Sequence, residues 1–376
     1  MTRIAVAGPP PAPTTDSWRA RLARLLLHPP ASPPGDTDWY RLADGLLGID
    51  SDDRGLRDRF RDIYRECLTA SMPFSSLPTV RLTLRSSRDG AALATFDDPA
   101  PLDAAAFALA LFDGRGYDAL PDESSSGDFD LDGPGVRYVS APGAEGPSLA
   151  FAADRVAVRL DSAWRPFLAN LAVNRLLRLQ RDMLFLHAAS VSVGSRGALL
   201  CGPKLAGKTT LALAIAARGH ALLGDEIAAV RGEPATLVPF RRALSVRLGP
   251  GAHAVQTAMR GVASAKPERV EQYPDGSTRT RAYGAELFPA AAVAEAPLTA
   301  IFLLRGRGTA PRAQRLPPSR HLLAELTPLH ASLWGAPAAA RAARLLRLVA
   351  AVPCFALEAG APDDTADAVV RTLEDS

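Results

Sequence analysis

Residues Gly202-Pro203-Lys204-Leu205-Ala206-Gly207-Lys208-Thr209-Thr210 match G-x-x-x-x-G-K-[ST], and no other stretch constrains the surrounding fold as strongly. Such a loop needs a strand to deliver it and a helix to leave it, because successive backbone N–H groups and a positive helix end must converge on one anion. The flanks comply. Ala198 to Cys201 reads as a buried strand, Thr209 to Arg218 as a helix, and Gly219 sits where a helix-terminating glycine belongs. The chain has only three lysines (Lys204, Lys208, Lys266) among 43 basic residues, and two of them stand in this loop. The pattern predicts that Gly202 to Gly207 cradle phosphates. Lys208 is expected to reach the β and γ phosphates and to face solvent in the free protein, and Thr209 to offer its hydroxyl to Mg²⁺.

A chain of 376 residues is long enough for two domains. Hydrophobic residues at 47% and charged residues at 22% are ordinary globular values. The net charge of +3 is small and the arginines are dispersed, so neither nucleic-acid nor membrane binding is indicated. Three scattered cysteines (Cys67, Cys201, Cys354) make no disulfide framework or metal spacing and fit a reducing cytoplasm. Met1 to Thr15 carries prolines where a signal peptide needs an unbroken apolar run, and no stretch reaches the roughly 18 apolar residues of a membrane span. A cytoplasmic protein is expected.

Two proline-rich stretches, Gly8 to Pro13 and Pro29 to Gly35, bracket a short amphipathic helix, Trp18 to Leu27, and residues 1–35 read as a mobile arm. Ser51 to Ser71 predicts a helix burying Leu56, Phe60, Ile63, Tyr64 and Cys67. Thr79 to Leu84 and Ala91 to Phe96 form a hairpin through Asp89-Gly90, and Asp113 to Gly135 reads as an acidic, solvated loop. Strands follow at Val136 to Val139, Ser148 to Ala152 and Val156 to Leu160, then a helix from Ser162 to Asp182. Residues 36–182 thus read as a smaller α+β domain, and residues 183–376 as an α/β nucleotide-binding core. In the core, strands are expected at Met183 to Leu186, Ser190 to Val193, Ala221 to Gly224, Thr299 to Leu304 and Phe355 to Glu358. Helices are expected at Ala336 to Ala351 and from about Asp364, and Tyr273-Pro274-Asp275-Gly276 marks a turn within the polar stretch Gly249 to Pro289.

The second acidic site decides what such a loop does. Asp225 and Glu226 follow the strand Ala221 to Gly224, seventeen positions after Lys208, which places them on the strand directly after the loop helix. The other strand placed to supply an acid, Ala300 to Leu304, ends in Arg305 instead.

These residues resemble the HPr kinase type of P-loop kinase, related in turn to PEP carboxykinases. Leu186-His187-Ala188-Ala189 occupies the place of that family's strand-end histidine, fifteen residues before the loop. Arg218-Gly219-His220 ends the loop helix as in the family, Asp225-Glu226 matches its acidic pair, and Pro239-Phe240-Arg241-Arg242 is similar to a Pro-x-x-Arg segment of broader relatives. Leu205 stands where HPr kinases have Gly, and Thr210 where they have Glu. The resemblance implies a P-loop core using ATP and Mg²⁺. It places Mg²⁺ at Thr209 with Asp225 or Glu226, makes one of those acids the general base, and puts His187 near the transferred phosphoryl group. Arg241, Arg242 or Arg305 would contact phosphate or an acidic acceptor. The expected activity is transfer of a γ-phosphoryl group to a Ser or Thr hydroxyl of a protein or peptide, with lasso-peptide precursor kinases among the broader relatives. A small-molecule alcohol kinase and a nucleotide-binding regulator with little catalysis are the alternatives. Residues 36–182 are expected to recruit the acceptor, and homo-oligomerisation is left open.

Overall fold

The computed structural model describes residues 18–29, 37–69, 76–88, 90–97, 137–140, 148–151, 155–159, 165–248, 270–272, 278–289, 295–329 and 338–375. The acidic stretch 113–135, Asp89, Lys266 and the turn at 273–276 lie outside the described residues. The architecture is mixed α/β with several sheets. Contacts divide the chain into two units, one of Met1–Thr37, Gly48–Arg57 and Val80–Ala172, the other of Asp38–Leu47, Asp58–Thr79 and Val173–Ser376.

The first half of the chain runs α1 (Trp18–Leu27), β1 (Asp38–Leu42), β2 (Gly45–Ser51), α2 (Arg54–Tyr64), β3 (Leu68–Thr69), β4 (Thr79–Ser86), β5 (Ala91–Asp97), β6 (Arg137–Ser140), β7 (Ser148–Phe151), β8 (Arg155–Arg159) and α3 (Arg165–Leu179). In the first unit, β4, β5, β8, β7 and β6 pair antiparallel in that order. The hairpin expected around Asp89-Gly90 is there, with Gly90 at φ 82° and Ser86 opposite Ala92. Helix α1 lies on this sheet: Leu22 and Leu26 are buried with Ala91, Leu93 and Ala157, and the Arg155 guanidinium caps the Leu26 carbonyl. So the helix of the proline-rich region is packed.

The helix expected over Ser51 to Ser71 is shorter, ending at Tyr64 and tightening into a 3₁₀ turn at Arg65–Cys67. Asp53 starts it by accepting from the Leu56 N–H, and β3 stops it, because Leu68 and Thr69 are taken up opposite Tyr40 and Trp39 of β1. Its predicted apolar face (Leu56, Phe60, Ile63, Tyr64, Cys67) is buried throughout.

The second half runs β9 (Met183–Leu186), β10 (Ala189–Val193), β11 (Arg196–Cys201), α4 (Lys208–Ala216), β12 (Ala221–Gly224), β13 (Ala228–Arg231), β14 (Thr236–Val238), β15 (Leu244–Arg247), β16 (Val270–Gln272), β17 (Thr278–Ala282), α5 (Gly284–Leu287), β18 (Ala296–Arg307), β19 (Arg312–Leu316), α6 (Arg320–Leu326), α7 (Ala338–Ala351), β20 (Cys354–Ala359) and α8 (Pro362–Glu374). One sheet orders its strands β12-β10-β11-β18-β14-β13-β9, with β20 on β18 and β19 on β20. β11, β18 and β20 are parallel. Parallel strands covered on both faces read as continuous apolar runs, and β11 shows it from Ala198 onward: Ala198 and Leu200 join one buried cluster, Leu199 and Cys201 another. The first cluster contains α4 and α8, the second α6 and α7. Leu211 to Ala216 are all buried, which a helix apolar on every side requires.

β10 is antiparallel to both β11 and β12, so β11 and β12 run the same way and end at the same edge of the sheet. Strands β13 to β17 and β19 were not expected from sequence. Each has three to five residues, too few for a period-2 pattern to stand out.

Candidate functional site

The site lies along that edge, where β11, β12 and β18 end and β10 begins. The loop leaves β11 at Gly202. A side chain there would meet Ala206 Cβ at 3.1 Å and the Leu304 carbonyl oxygen at 3.2 Å, so glycine lets the loop turn against β18 without displacing either. Pro203, Lys204 and Leu205 are exposed, and the Ala206 N–H closes the turn on the Pro203 carbonyl at 3.2 Å. Gly207 enters α4 at φ 97°, a left-handed value for which glycine is suited. Leu205 adopts φ 73° without that freedom and is 68% exposed, so the residue that departs from the HPr kinase pattern carries backbone strain.

Lys208 corrects one expectation. It does not face solvent: the residue is 8% exposed, and its ammonium donates to the carbonyls of Gly202 at 2.8 Å and Pro203 at 3.1 Å. These are the nearest acceptors to a cation that starts the helix, and by binding them the side chain lies across the loop. Desolvation depresses its pKa, opposed by the nearby Asp225 carboxylate.

Thr209, the second residue of α4, donates its hydroxyl to Asp225 Oδ2 at 2.9 Å. The strand after the loop helix therefore does bring an acid to the loop. Asp225 is 4% exposed, and its second oxygen, Oδ1, is buried without a hydrogen-bond partner. Burial, reinforced by the charge of Glu226, raises its pKa to about 6, while the Thr209 hydrogen bond pulls the other way. A buried, unsatisfied carboxylate oxygen beside a threonine hydroxyl suits a hard cation with oxygen ligands. Among the described residues no three His, Cys, Asp or Glu side chains come together as a metal cage. A Mg²⁺ at Thr209 and Asp225 would complete its shell from phosphate and water, as Mg²⁺ commonly does.

Glu226 turns differently. It has φ 65°, and its carboxylate pairs with Arg242 at 3.0 Å. Its backbone carbonyl lies 3.1 Å from His187 Nδ1. A carbonyl can only accept, so Nδ1 carries the proton and Nε2 is left as the basic nitrogen. Desolvation and then the Lys208 charge lower the His187 pKa, favouring the neutral ring. Asp225, Glu226, His187, Lys208 and Thr209 are thus one group. Thr210, next on α4, has no contact that ties it to the acids.

The three candidate arginines separate. Arg242 belongs to the group through Glu226. Arg241 pairs with Glu66 at 3.6 Å, and Arg305, at the end of β18, makes two hydrogen bonds to Glu325 at 3.2 and 2.7 Å. Sequence reading missed the residues that seat Arg241 and Arg242. Phe240 N–H donates to the Leu223 carbonyl at 2.9 Å and bridges Gly224, while Ala243 N–H donates to the Ile63 carbonyl at 2.6 Å. Nothing local in the sequence around Ile63 signals this, since its partner lies 180 positions away.

No family model matches this chain, and no curated protein matches it. Among solved structures, the HPr(Ser) kinase/phosphatase from Coxiella burnetii is similar at 13% sequence identity over 51% of this chain and 88% of that one, with a TM-score of 0.26. At that identity and score the likeness is distant and says nothing of individual residues, whose roles rest on the geometry of the Lys208–Thr209–Asp225 cluster.

Proposed function

We propose that the protein is an ATP- and Mg²⁺-dependent phosphotransferase that moves a γ-phosphoryl group to the hydroxyl of a Ser or Thr in a protein or peptide, ribosomal precursor peptides included. The observation that carries the proposal is the contact of Thr209 with Asp225 at the mouth of a loop that Lys208 already spans. Backbone N–H groups of Gly202 to Gly207 and the start of α4 bind the phosphates, and Lys208 exchanges its two carbonyl partners for phosphate oxygens. Mg²⁺, held by Thr209 and Asp225, supplies charge neutralisation. Asp225 accepts the acceptor hydroxyl's proton as the new O–P bond forms and the bond from Pγ to the bridging oxygen of ADP breaks. Of the two acids, Asp225 is the one that meets Thr209, so the base is assigned to it. Residues 36–182 position the acceptor, since a flexible peptide needs a docking surface to raise its concentration near the γ-phosphate.

The test is Mg²⁺-dependent binding of ATP together with phosphate incorporation into a candidate peptide or lysate, read by mass spectrometry. Lys208→Ala is expected to lower turnover about 10³-fold or more while the protein stays folded by circular dichroism. Asp225→Asn is expected to lose more activity than Glu226→Gln. Undiminished turnover in Lys208→Ala, or no Mg²⁺-dependent ATP binding, would sink the proposal.

A further inference from the structure

We infer that Ile63, Glu66 and Cys67, at the end of α2 and in its 3₁₀ turn, are positioning residues for the phosphoryl site, because they fix the backbone from which Arg242 reaches Glu226. The inference rests on the phosphotransferase reading and names the part of the chain that aims its arginine.

The segment Phe240 to Ala243 is held on two sides. On the side of the sheet, Phe240 bonds Leu223 and bridges Gly224, the residue before Asp225. On the other side it is held three times by residues 63–67: Ala243 N–H donates to the Ile63 carbonyl at 2.6 Å, the Cys67 thiol donates to the Arg241 carbonyl at 3.0 Å, and Glu66 pairs with the Arg241 guanidinium at 3.6 Å. Burial pushes the Cys67 thiol up to about 12, so it remains a donor at physiological pH. Glu66 is itself anchored, its two oxygens accepting from the N–H groups of Gly284 at 3.0 Å and Ala285 at 2.8 Å. Arg242, lying between residues fixed at 241 and 243, has its Cα set from both directions, and its Nη1 lies 3.0 Å from Glu226 Oε2. The Arg242 charge acts on both Asp225 and His187, so the guanidinium lies beside the group around Thr209, and its fork suits phosphate oxygens. The holds made by residues 63–67 fall on the segment Phe240 to Ala243, which carries Arg242.

The experiment measures the affinity of full-length protein for a fluorescent N-methylanthraniloyl-ADP with Mg²⁺, with and without fluoroaluminate, which stands in for the phosphoryl group in transit and needs no acceptor. Wild type is expected to bind at least tenfold more tightly with fluoroaluminate, and Arg242→Ala to lose most of that gain, read as the ratio of the two affinities within each variant. Cys67→Ala and Arg241→Met each remove one hold and leave the backbone hydrogen bonds of Glu66 in place. Each is expected to cut the gain about threefold to tenfold, with diphosphate affinity unchanged. A merely structural role would lower the melting temperature and leave the gain intact; that result in both single variants overturns the inference, as does a full gain in Arg242→Ala or no gain in wild type. Wild type that binds no diphosphate at all instead removes the phosphotransferase reading itself.

Discussion

Asp50 and Asp225 are equally buried, each 4% exposed, and they are handled in opposite ways. Asp50, at the end of β2, receives Arg85 Nη2 on one oxygen at 2.9 Å and Arg81 Nη2 on the other at 3.1 Å, and Arg85 also bonds the Asp50 and Leu84 carbonyls. Its charge is matched and both oxygens are used. Asp225 has the Thr209 hydroxyl on Oδ2, no hydrogen-bond partner on Oδ1, weaker support from the Glu226 backbone and the Arg242 charge, and a second carboxylate next in sequence. An unpaired buried carboxylate costs stability that a paired one does not. The difference teaches that equal burial does not mean equal matching: Asp50 has both oxygens met by guanidinium groups, and Asp225 does not.

The comparison breaks first, and most heavily, at Asp50. Asp50→Ala leaves the Arg85 guanidinium, whose side chain is 7% exposed, without its carboxylate, and is expected to cost about 3–5 kcal/mol of stability in chemical denaturation. A loss under about 1 kcal/mol would mean that the two aspartates do not differ as described.

Asp225→Asn should do the reverse. Because burial raises the folded-state pKa to about 6 from the ordinary aspartate value of 3.8, the unfolded chain gives up this proton near pH 4 and the folded one near pH 6. The carboxylate therefore lowers stability progressively from about pH 4 to 6 and by its full amount above that. Asn is expected to stabilise the protein by about 2–3 kcal/mol at pH 7.5, with the gain vanishing towards pH 4, while phosphoryl transfer is lost. A variant less stable than wild type at pH 7.5 contradicts this account of Asp225.

A smaller effect sharpens the comparison at Gly224. A Cβ there would lie 2.8 Å from the Ile227 carbonyl oxygen and 2.9 Å from that of Phe240, so Gly224→Ala must push apart the backbone that buries Asp225. A loss of about 1–3 kcal/mol is expected, with the Asp225 titration moving back towards an ordinary carboxylate value, measurable by the pH dependence of unfolding. Ordinary stability with an unchanged titration would show that the close approach is dispensable.

Much of the second half of the chain was legible. The strand, loop and helix from Arg196 to Ala216, strand Ala221–Gly224 and the closing strand and helix lie within a few residues of where periodicity and turn residues put them. Long apolar runs and the glycines at 202, 207 and 219 carry local signals that distant contacts do not override. The same signals misjudged the helix after Ser51, because pairing of Leu68 and Thr69 with β1 outweighs local helical preference. Lys208 was misplaced for a similar reason: a lysine reads as solvent-seeking until two carbonyls are found within its reach.

The sequence by itself determined the loop, the acid pair on the next strand and His187 before it, because each is written in neighbouring residues whose spacing is set by one strand or one helical turn. Only the tertiary structure decided which acid meets Thr209, which of two adjacent arginines joins the site, and that residues 63–67 hold the segment carrying it. Those choices depend on which side chains and backbone groups lie within about 3 Å of each other across 16 to 180 positions of chain, and no local pattern encodes a distance of that kind.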